Sequence, residues 1–360
     1  MTKFAIGVDL GGTNLRIAAV DEHGRLLDKV TTDTNVARGR DLVITEMSEA
    51  ISSLVAKLKD SGTIVGVGVG VPGIIDLETG MSRESPNLPG WNDYPVRDEI
   101  ERRLRAPVIL ENDTNAAALG EKWLGAAREV DDMAILTLGT GVGGGLVLHG
   151  RIWHGMNGMA GEFGHITVDP NGPRCKCGSF GCAEVFASAT AVVRMANESI
   201  AGGNAPQLSN LEKSDPEFSA KLVYNLAKNG DAPSREIFRK VGVGLGILMG
   251  DLVNGLNLPM YVVGGGMASA WDLFSPSMFE EVLKRSMVYA ATAPISPNAQ
   301  EPGEAEGAAA EVHPRASGKK TIITKAMLGS DAGLYGAARL PMLTSSEPSW
   351  GPEIMARRRA

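Results

Sequence analysis

One arrangement occurs twice in this chain, about 130 residues apart: a hydrophobic strand, a glycine-rich turn and a second hydrophobic strand. The first copy places its strands at residues 4–9 and 15–20, and the second places them at 133–138 and 146–148, around the turn 139–145. A chain of 360 residues exceeds the size at which a single hydrophobic core stops growing. The repeat therefore predicts two lobes built on one plan.

The segments around the two copies alternate between strand and helix patterns. Apolar residues recur at helical spacing from 41 to 58, and a strand pattern thinned by glycines runs from 64 to 71. The further predicted elements are helices 96–104, 115–124, 237–257 and 332–340, and strands 26–31, 108–110, 261–263 and 321–323. This alternation predicts an α/β fold.

We predict a small N-terminal lobe at 1–116 together with about 330–345, and a larger lobe at 117–329. Residues 294–318 are rich in Pro, Ala, Glu and Gly without periodicity, which predicts a mobile surface insertion. Residues 346–360 are predicted to form a loose tail.

The net charge of −7 argues against a nucleic-acid partner, which would require a basic face. No apolar run reaches the length of a membrane span, and residues 1–8 lead directly into a strand instead of a signal peptide. All three cysteines lie within eight residues, a cluster that suits a reducing compartment. We therefore expect a cytoplasmic protein with no membrane partner.

The cysteine cluster predicts a metal site. Cys175, Cys177 and Cys182 follow His165 by ten to seventeen residues, and together they offer one nitrogen and three sulfur donors. Four such donors form the closed tetrahedral site that is typical of structural zinc. Three unrelated buried cysteines are the alternative, and the clustering of every cysteine in the chain disfavours it.

The two glycine-rich turns predict a site for a phosphate chain, since glycines let backbone N–H groups approach an anion. In the first turn Asp9 cannot bind a phosphate directly, but it could hold Mg²⁺ through water. The triple glycine 264–266 follows a buried strand and would suit close packing against an adenine or ribose. The residues predicted to bind nucleotide are Asp9, Gly11, Gly12, Thr13, Asn14, Gly139, Thr140, Gly141, Gly264 and Gly265.

Several other chemistries are disfavoured by the motifs. A strand follows each glycine-rich turn, whereas the dinucleotide-binding fingerprint leads into a helix, and no Walker A sequence occurs. Neither the serine nucleophile elbow nor the H-E-x-x-H zinc motif is present. The remaining histidines, including His154, lack a motif partner.

Polar residues at the junction of strand 108–110 and the following helix are candidates for catalysis. Asp113 at a strand end could act as a general base, and Asn112 could bind a polyol; capping of the helix by Asp113 or Thr114 is the alternative. Glu162, His165 and Glu184 bracket the cysteine cluster, and folding around a metal would bring them together. Such a set of donors and acceptors is suited to hydrogen bonding with the hydroxyl groups of a sugar.

The chain resembles the ROK family of sugar kinases, within the actin/hexokinase-like ATPase superfamily, from Phe4 to about Leu340. Two motifs carry the resemblance. The family's diagnostic segment is present as Leu138, Gly139, Gly141, Gly143, Gly145, Gly155, Gly161, Gly164 and His165, and its zinc motif as His165, Cys175, Cys177 and Cys182.

The resemblance implies a two-lobed actin-like (ribonuclease H-like) fold with a cleft between the lobes, and phosphoryl transfer from ATP with Mg²⁺. It implies that the turns at Asp9–Asn14 and Gly139–Gly141 are the phosphate loops and that Gly264 and Gly265 lie in the adenosine region. Asp113 would be the catalytic base. The implied sugar contacts are Asn112, Asp113, Glu162, His165 and Glu184, with Gly80 and Asn87 completing the pocket. A homodimer or homotetramer is also implied.

The identity of the sugar stays open at this stage. Segments 111–121 and 85–91 resemble the glucokinase branch and favour glucose, while kinases for N-acetylmannosamine, N-acetylglucosamine, mannose or fructose share the core residues. Polyphosphate is an alternative donor. The family also includes sugar-responsive repressors with an N-terminal winged helix; because the phosphate loop begins at Asp9, we expect an enzyme rather than a regulator.

Overall fold

The structure is a computed structural model that describes residues 2–85, 87–293 and 319–344. The insertion predicted at 294–318 and the tail predicted at 346–360 lie outside these residues. The strands are β1 (Thr2–Leu10), β2 (Asn14–Asp21), β3 (Leu26–Asp33), β4 (Gly62–Val71), β5 (Ile74–Asp76), β6 (Met81–Glu84), β7 (Val108–Asn112), β8 (Met133–Leu138), β9 (Val142–Leu148), β10 (Arg151–Ile152), β11 (Met260–Gly264) and β12 (Ile322–Lys325).

The helices alternate with these strands along much of the chain. They are α1 (Arg40–Leu58), α2 (Val96–Leu104), α3 (Asp113–Trp123), α4 (Glu184–Ala187), α5 (Ala189–Ala201), α6 (Pro206–Ser214), α7 (Ala220–Lys228), α8 (Ala232–Leu256), α9 (Trp271–Arg285), α10 (Met287–Thr292) and α11 (Ala332–Thr344). The predicted α/β class is confirmed.

The described residues form two compact units. The first comprises 2–135, 144–161 and 326–344, and the second comprises 136–143 and 162–325 without the insertion. The predicted lobe boundary at residue 116 falls inside α3, and the first unit continues along the chain to Ile135. The predicted division into lobes stays a prediction.

A five-stranded sheet in the order β3-β2-β1-β4-β7 forms the centre of the first unit. β1, β2 and β3 are antiparallel neighbours, whereas β4 and β7 join β1 in parallel. The register aligns Asp9 with Gly70 and Gly70 with Glu111. Because these strands are parallel, their carboxyl ends meet at one edge of the sheet, where ligands bind in α/β folds.

Helices cover both faces of this sheet. Ile44, Met47 and Ile51, at helical spacing on α1, are fully buried in one core with Phe4 and Ile6. On α11, Leu334 and Ala338 are buried together with Ala18 and Val20 of β2. Burial of these apolar side chains stabilises the unit by roughly 1.5–3 kcal/mol for each large residue.

Gly7 in the middle of β1 lets α11 approach the sheet closely. A Cβ built on Gly7 would lie 2.7 Å from the backbone nitrogen of Ala338 and 2.9 Å from its Cβ. Since real side chains do not tolerate such contacts, any larger residue would push α11 away from the strand.

A second sheet has the strand order β10-β9-β8-β11-β12. β9 and β10 pair antiparallel, and β11 and β12 pair parallel. β11 is buried along its whole length. In the second unit α8 begins after Asp231, whose carboxylate accepts a hydrogen bond from the backbone N–H of Ser234, and α8 packs against α9.

No helix among the described residues is both long enough and apolar enough to cross a membrane.

Candidate active site

The first predicted phosphate loop is the turn between β1 and β2, and hydrogen bonds fix its backbone. The backbone N–H of Gly11 donates to the carbonyl of Asn14 at 2.9 Å. Thr34 binds the loop twice: its hydroxyl donates to the carbonyl of Gly11 at 2.6 Å, and its N–H donates to the carbonyl of Thr13 at 2.8 Å. A cavity of about 390 Å³ is bordered by Gly12, Thr13, Asp33, Asn35, Val36 and Ala37.

Gly12 is required by a close backbone contact. A Cβ at this position would lie 2.8 Å from the carbonyl oxygen of Asn87. The structure therefore brings Asn87, a predicted sugar residue, against the predicted phosphate loop within the first unit. Gly80, the other residue predicted to complete the pocket, occupies the turn between β5 and β6 with φ +75° and packs against the side chain of Arg97.

Asp9 forms an ion pair that the sequence analysis missed. Nη1 of Arg16 donates to Oδ2 of Asp9 at 2.9 Å and to the carbonyl of Ser330 at 3.3 Å. The antiparallel register places Asp9 directly opposite Arg16, so the hairpin pattern alone could have indicated the pair. Burial raises the pKa of Asp9, and the neighbouring Arg16 opposes that rise.

Asn112 caps helix α3. Its side-chain oxygen accepts hydrogen bonds from the backbone N–H groups of Thr114 at 2.9 Å and Asn115 at 3.1 Å, while its Nδ2 donates to the carbonyl of Gly73 at 3.1 Å. The alternative that Asp113 or Thr114 caps the helix is therefore wrong, because β7 extends to Asn112 and Asp113 is already the first helical residue.

The surroundings of Asp113 raise the pKa of its carboxyl group above the usual value. Burial raises the pKa of Asp113 from 3.8 to about 6, and the negative charge of Asp9 adds to the rise. The backbone N–H of Thr114 donates to Oδ1 at 2.8 Å and partly opposes it. Among the described residues no arginine, lysine or histidine lies within ion-pair distance of Asp113. Such a carboxylate can accept a proton near neutral pH.

The second predicted phosphate loop, Gly139–Gly141, lies between β8 and β9 in the second unit, and three hydrogen bonds hold it from the start of α4 and α5. The carbonyl of Gly139 accepts from Ala189 N–H at 2.8 Å, and the carbonyl of Thr140 accepts from the Thr190 hydroxyl at 2.8 Å. Oε2 of Glu184 accepts from the backbone N–H of Val142 at 3.0 Å. A predicted sugar residue thus contacts the predicted phosphate loop directly.

The glycines predicted for the adenosine region lie beside the same loop. β11 ends at Gly264, and Gly265 follows with φ +83°. A Cβ on Gly265 would collide with the backbone of Leu138, the last residue of β8. Only glycine fits this contact, which places Gly264 and Gly265 next to the beginning of the second loop.

The four predicted metal ligands form one cluster. Their donor atoms all lie within 4.8 Å of one another. The sulfur atoms of Cys177 and Cys182 are 3.7 Å apart, and Nδ1 of His165 is 3.6 Å from the sulfur of Cys175. A tetrahedral zinc ion with ordinary bond lengths requires edges of about 3.8 Å between sulfurs and about 3.6 Å between sulfur and nitrogen. The residues therefore fit zinc.

Glu162 accompanies the cluster. Its Oε2 lies 3.9 Å from Nε2 of His165, the ring nitrogen opposite the one that faces the cysteines. Both residues lie in the second unit with Glu184.

The predicted site residues thus form one group in each unit. Asp9, the first loop, Asn87, Asn112 and Asp113 belong to the first unit, and the second loop, Gly264, Gly265, Glu162, Glu184 and the metal ligands belong to the second. Besides Arg16, the sequence analysis missed the pairing of Glu111 with His154. Oε2 of Glu111 and Nε2 of His154 lie 2.7 Å apart. A glutamate at the end of a buried strand was the available signal for it.

Comparison with known proteins gives one consistent result. The model of the ROK family matches residues 5–315. A glucokinase of Halalkalibacterium halodurans is 40% identical over 272 residues, covering 75% of this chain and 82% of that protein. A glucokinase of Thermotoga maritima is 40% identical over 278 residues, covering 77% and 86%.

A solved structure extends the likeness to nearly the whole chain. The crystal structure of a ROK family glucokinase from Streptomyces griseus in complex with glucose and AMPPNP has a TM-score of 0.72 and 32% identity, covering 94% of this chain and 98% of that one. The fold is therefore that of the ROK kinases, an actin-like ATPase fold. With the paired glycine loops and the His-Cys₃ cluster in place, this chain belongs to the ROK family.

Proposed function

We propose that this protein is an ATP-dependent hexokinase that phosphorylates the 6-hydroxyl of glucose, with Asp113 as the general base. The observation that carries the proposal is the Asp113 carboxyl group, which has a pKa raised to about 6 and no cation in ion-pair distance among the described residues. The two relatives at 40% identity are named glucokinases, and the Streptomyces griseus structure contains glucose and AMPPNP. These names support glucose and ATP as substrates.

The proposed reaction is an in-line phosphoryl transfer. The ionised Asp113 accepts the proton of the sugar 6-hydroxyl while that oxygen forms a bond to the γ-phosphorus of ATP. The bond between the γ-phosphorus and the bridging oxygen breaks, and ADP leaves. A base with a pKa near the working pH is largely ionised yet still binds the proton that it receives.

The glycine loops are proposed to hold the phosphates of ATP. Backbone N–H groups of residues 11–14 and 139–141 would bind phosphate oxygens, and Gly264 and Gly265 would contact the adenosine. Asp9 suits a hydrated Mg²⁺ ion: Arg16 occupies its Oδ2, and among the described residues its Oδ1 is left to accept from a metal-bound water. When bound, Mg²⁺ neutralises charge on the phosphates.

The sugar contacts are proposed from the hydrogen-bonding groups that the fold leaves available. Among the described residues, Asn112 uses its oxygen for the helix cap and one N–H for Gly73, so one N–H remains for a hydroxyl. Oε2 of Glu184 accepts from the N–H of Val142, which leaves Oε1 for the sugar within the same described part of the chain. Nε2 of His165 faces Oε2 of Glu162 at 3.9 Å, too far for a hydrogen bond, and is proposed to bind a hydroxyl. Glu162, Gly80 and Asn87 complete the proposed set.

We also propose that the cluster of His165, Cys175, Cys177 and Cys182 holds a structural zinc ion. Four protein donors leave no open position for a substrate or a reactive water. The metal would instead fix the segment that carries Glu162, His165 and Glu184. Metal analysis of the purified protein should find one zinc per chain.

A coupled assay of ADP release tests the proposed function. Glucose, mannose, fructose, N-acetylglucosamine and N-acetylmannosamine are compared as acceptors, and polyphosphate is compared with ATP as donor through detection of the sugar phosphate. We expect glucose with ATP to give the highest kcat/KM. Negligible turnover of glucose beside efficient turnover of another sugar would contradict the proposed substrate.

The Asp113→Asn variant tests the base. Loss of a general base lowers kcat by about 10²–10⁴-fold. A folded Asp113→Asn enzyme with near-normal turnover would rule out Asp113 in this role. The predicted homodimer or homotetramer is checked separately by light scattering on the same preparation.

A further inference from the structure

A buried glutamate lies directly before the proposed catalytic residues. Glu111 is the penultimate residue of β7, and only 4% of its side chain is exposed. Its Oε1 accepts hydrogen bonds from the backbone N–H of Asn112 at 2.9 Å and from Nδ2 of Asn115 at 3.0 Å. Its other oxygen, Oε2, lies 2.7 Å from Nε2 of His154. The carboxylate therefore connects the turn at Asn112 to a histidine 43 residues away.

The carboxylate of Glu111 determines how the side-chain amide of Asn115 is oriented. Oδ1 of Asn115 is buried and has no hydrogen-bond partner among the described residues. Rotating the amide by half a turn would place this oxygen against Oε1 of Glu111, where two acceptors repel each other. The hydrogen bond to a charged carboxylate, which is stronger than a neutral one, offsets the buried oxygen left without a partner.

His154 approaches from a separate segment that is itself fixed. The neighbouring Trp153 donates its backbone N–H to the carbonyl of Leu146 at 2.8 Å, and the carbonyl of His154 accepts from Ala160 at 3.1 Å. The imidazole is 37% exposed, and its hydrogen bond to Glu111 raises the pKa of His154. His154 and Glu111 both belong to the first unit.

We propose that His154 is a positioning residue for phosphoryl transfer, which acts through Glu111 to fix the turn that carries Asp113. The inference rests on the proposed role of Asp113 as the base. One oxygen of Glu111 holds the N–H of Asn112, and the other is held by His154. Without His154 the carboxylate is held through Oε1 alone. Because the torsional preference of its last side-chain bond is weak, the carboxylate can then rotate, and the turn is oriented less firmly.

Loss of the contact between His154 and Glu111 should affect kcat more than the binding of ATP. Asn112 caps α3 and Asp113 follows it, so a small rotation of this turn displaces the carboxylate relative to the reacting hydroxyl. Misplacement of a reacting group by about 1 Å costs up to about 100-fold in rate. The phosphate loops have no hydrogen bond to Glu111 or His154 among the described residues, so the KM for ATP should change little.

His154→Ala, His154→Gln and a control variant test the proposal. Glutamine keeps an N–H donor at similar reach, so it should restore most of the lost rate. Met156→Ala is the matched control, because Met156 lies two residues away and is almost fully exposed. We expect kcat to fall by about 10–100-fold in His154→Ala with a KM for ATP within about twofold of wild type. Met156→Ala should match wild type.

A purely structural ion pair predicts a different pattern. In that case His154→Ala lowers the melting temperature but leaves kcat unchanged at temperatures where the enzyme is folded, and this result would overturn the proposal. If His154→Ala does not fold, His154→Leu, which fills more of the space but has no donor, and Glu111→Gln are compared with their double variant. Coupling through Glu111 requires that the two losses in kcat are strongly non-additive, and additive losses would refute it.

The Asp113→Asn variant separates this inference from the proposed function. Near-normal turnover of Asp113→Asn removes the base assignment on which the inference rests. An inactive Asp113→Asn enzyme together with a normal kcat for His154→Ala leaves the base in place and rejects the positioning role of His154.

Discussion

Replacement of Asp113 by asparagine should make the protein more stable at neutral pH while it lowers kcat by about 10²–10⁴-fold. The reason is the raised pKa of Asp113, which burial and the charge of Asp9 bring from 3.8 to about 6. Its removal from water makes ionisation of this carboxyl group less favourable in the folded state than in the unfolded state. At the pH where the enzyme works, the folded state therefore has to hold a charge that the unfolded state solvates better.

The size and the sign of the effect follow from linkage. A folded-state pKa above the unfolded one contributes stability that is fully present below pH 3.8 and is lost as the pH rises through about 6. The loss approaches about 3 kcal/mol at pH 8, and roughly half of it has already occurred at pH 5. Asparagine does not titrate. The stability of Asp113→Asn relative to wild type should therefore rise by about 1–2 kcal/mol between pH 5 and pH 8.

Urea unfolding of both proteins at pH 5, 6, 7 and 8 measures this difference. Comparison across pH cancels pH-independent effects, such as the altered hydrogen bond to Thr114. Asp60→Asn removes an exposed aspartate in the turn after α1 and controls for the change in net charge. A difference that stays flat from pH 5 to pH 8, or that falls, would refute the claim that burial raises the pKa of Asp113.

Three further outcomes are expected. Gly12→Ala should raise the KM for ATP at least about tenfold in steady-state kinetics, because the new Cβ would lie 2.8 Å from the carbonyl oxygen of Asn87 and displace the proposed phosphate loop. An unchanged KM would contradict this packing argument. Glu121→Gln should lower the free energy of unfolding, measured in urea, by about 1–3 kcal/mol. The buried carboxylate accepts hydrogen bonds from the backbone N–H groups of Ala126, Met327 and Leu328, and an amide cannot satisfy all three. Wild-type stability of the variant would show that these hydrogen bonds contribute little. Removal of the proposed zinc ion by a chelator should weaken glucose binding in calorimetry while most of the helical circular dichroism of the protein is retained. Normal glucose affinity in protein shown to be metal-free would contradict the proposed structural role of the metal.

The local patterns predicted much of the fold because they depend on short stretches of chain. Helix α2 was predicted at Val96–Leu104 and β8 at Met133–Leu138, with the bounds that the structure has. Alternating and helical spacing are visible within such windows. The start of α3 was placed two residues late, at Asn115, because the sequence does not show how far β7 continues before the helix begins.

The residues of the candidate site could be named from motifs, but their partners could not. The glycine loops and the His-Cys₃ spacing are continuous or nearly continuous in sequence, and each motif specifies the chemistry of its own segment. The partner of Glu111 lies 43 residues away, and the contact of Gly12 with Asn87 joins positions that are still farther apart in the sequence. Such pairs depend on how loops after β6 and β10 pack against the ends of β1 and β7, which a single sequence does not reveal.

The alignment of these strands explains how three carboxylates at one edge of a sheet come to have different properties. Asp9 and Glu111 lie in one register row, separated by Gly70, and each has a basic partner, Arg16 for Asp9 and His154 for Glu111. Asp113 receives none among the described residues and has only the Thr114 N–H as a short hydrogen bond there. A cation beside Asp113 would lower its pKa and make it a poorer proton acceptor. Burial raises the pKa of Asp9 as well, but Arg16 opposes that rise, whereas no ion pair opposes it at Asp113 among the described residues. Asp113 therefore has the property that the proposed base requires, a carboxylate with a raised pKa and no cation beside it.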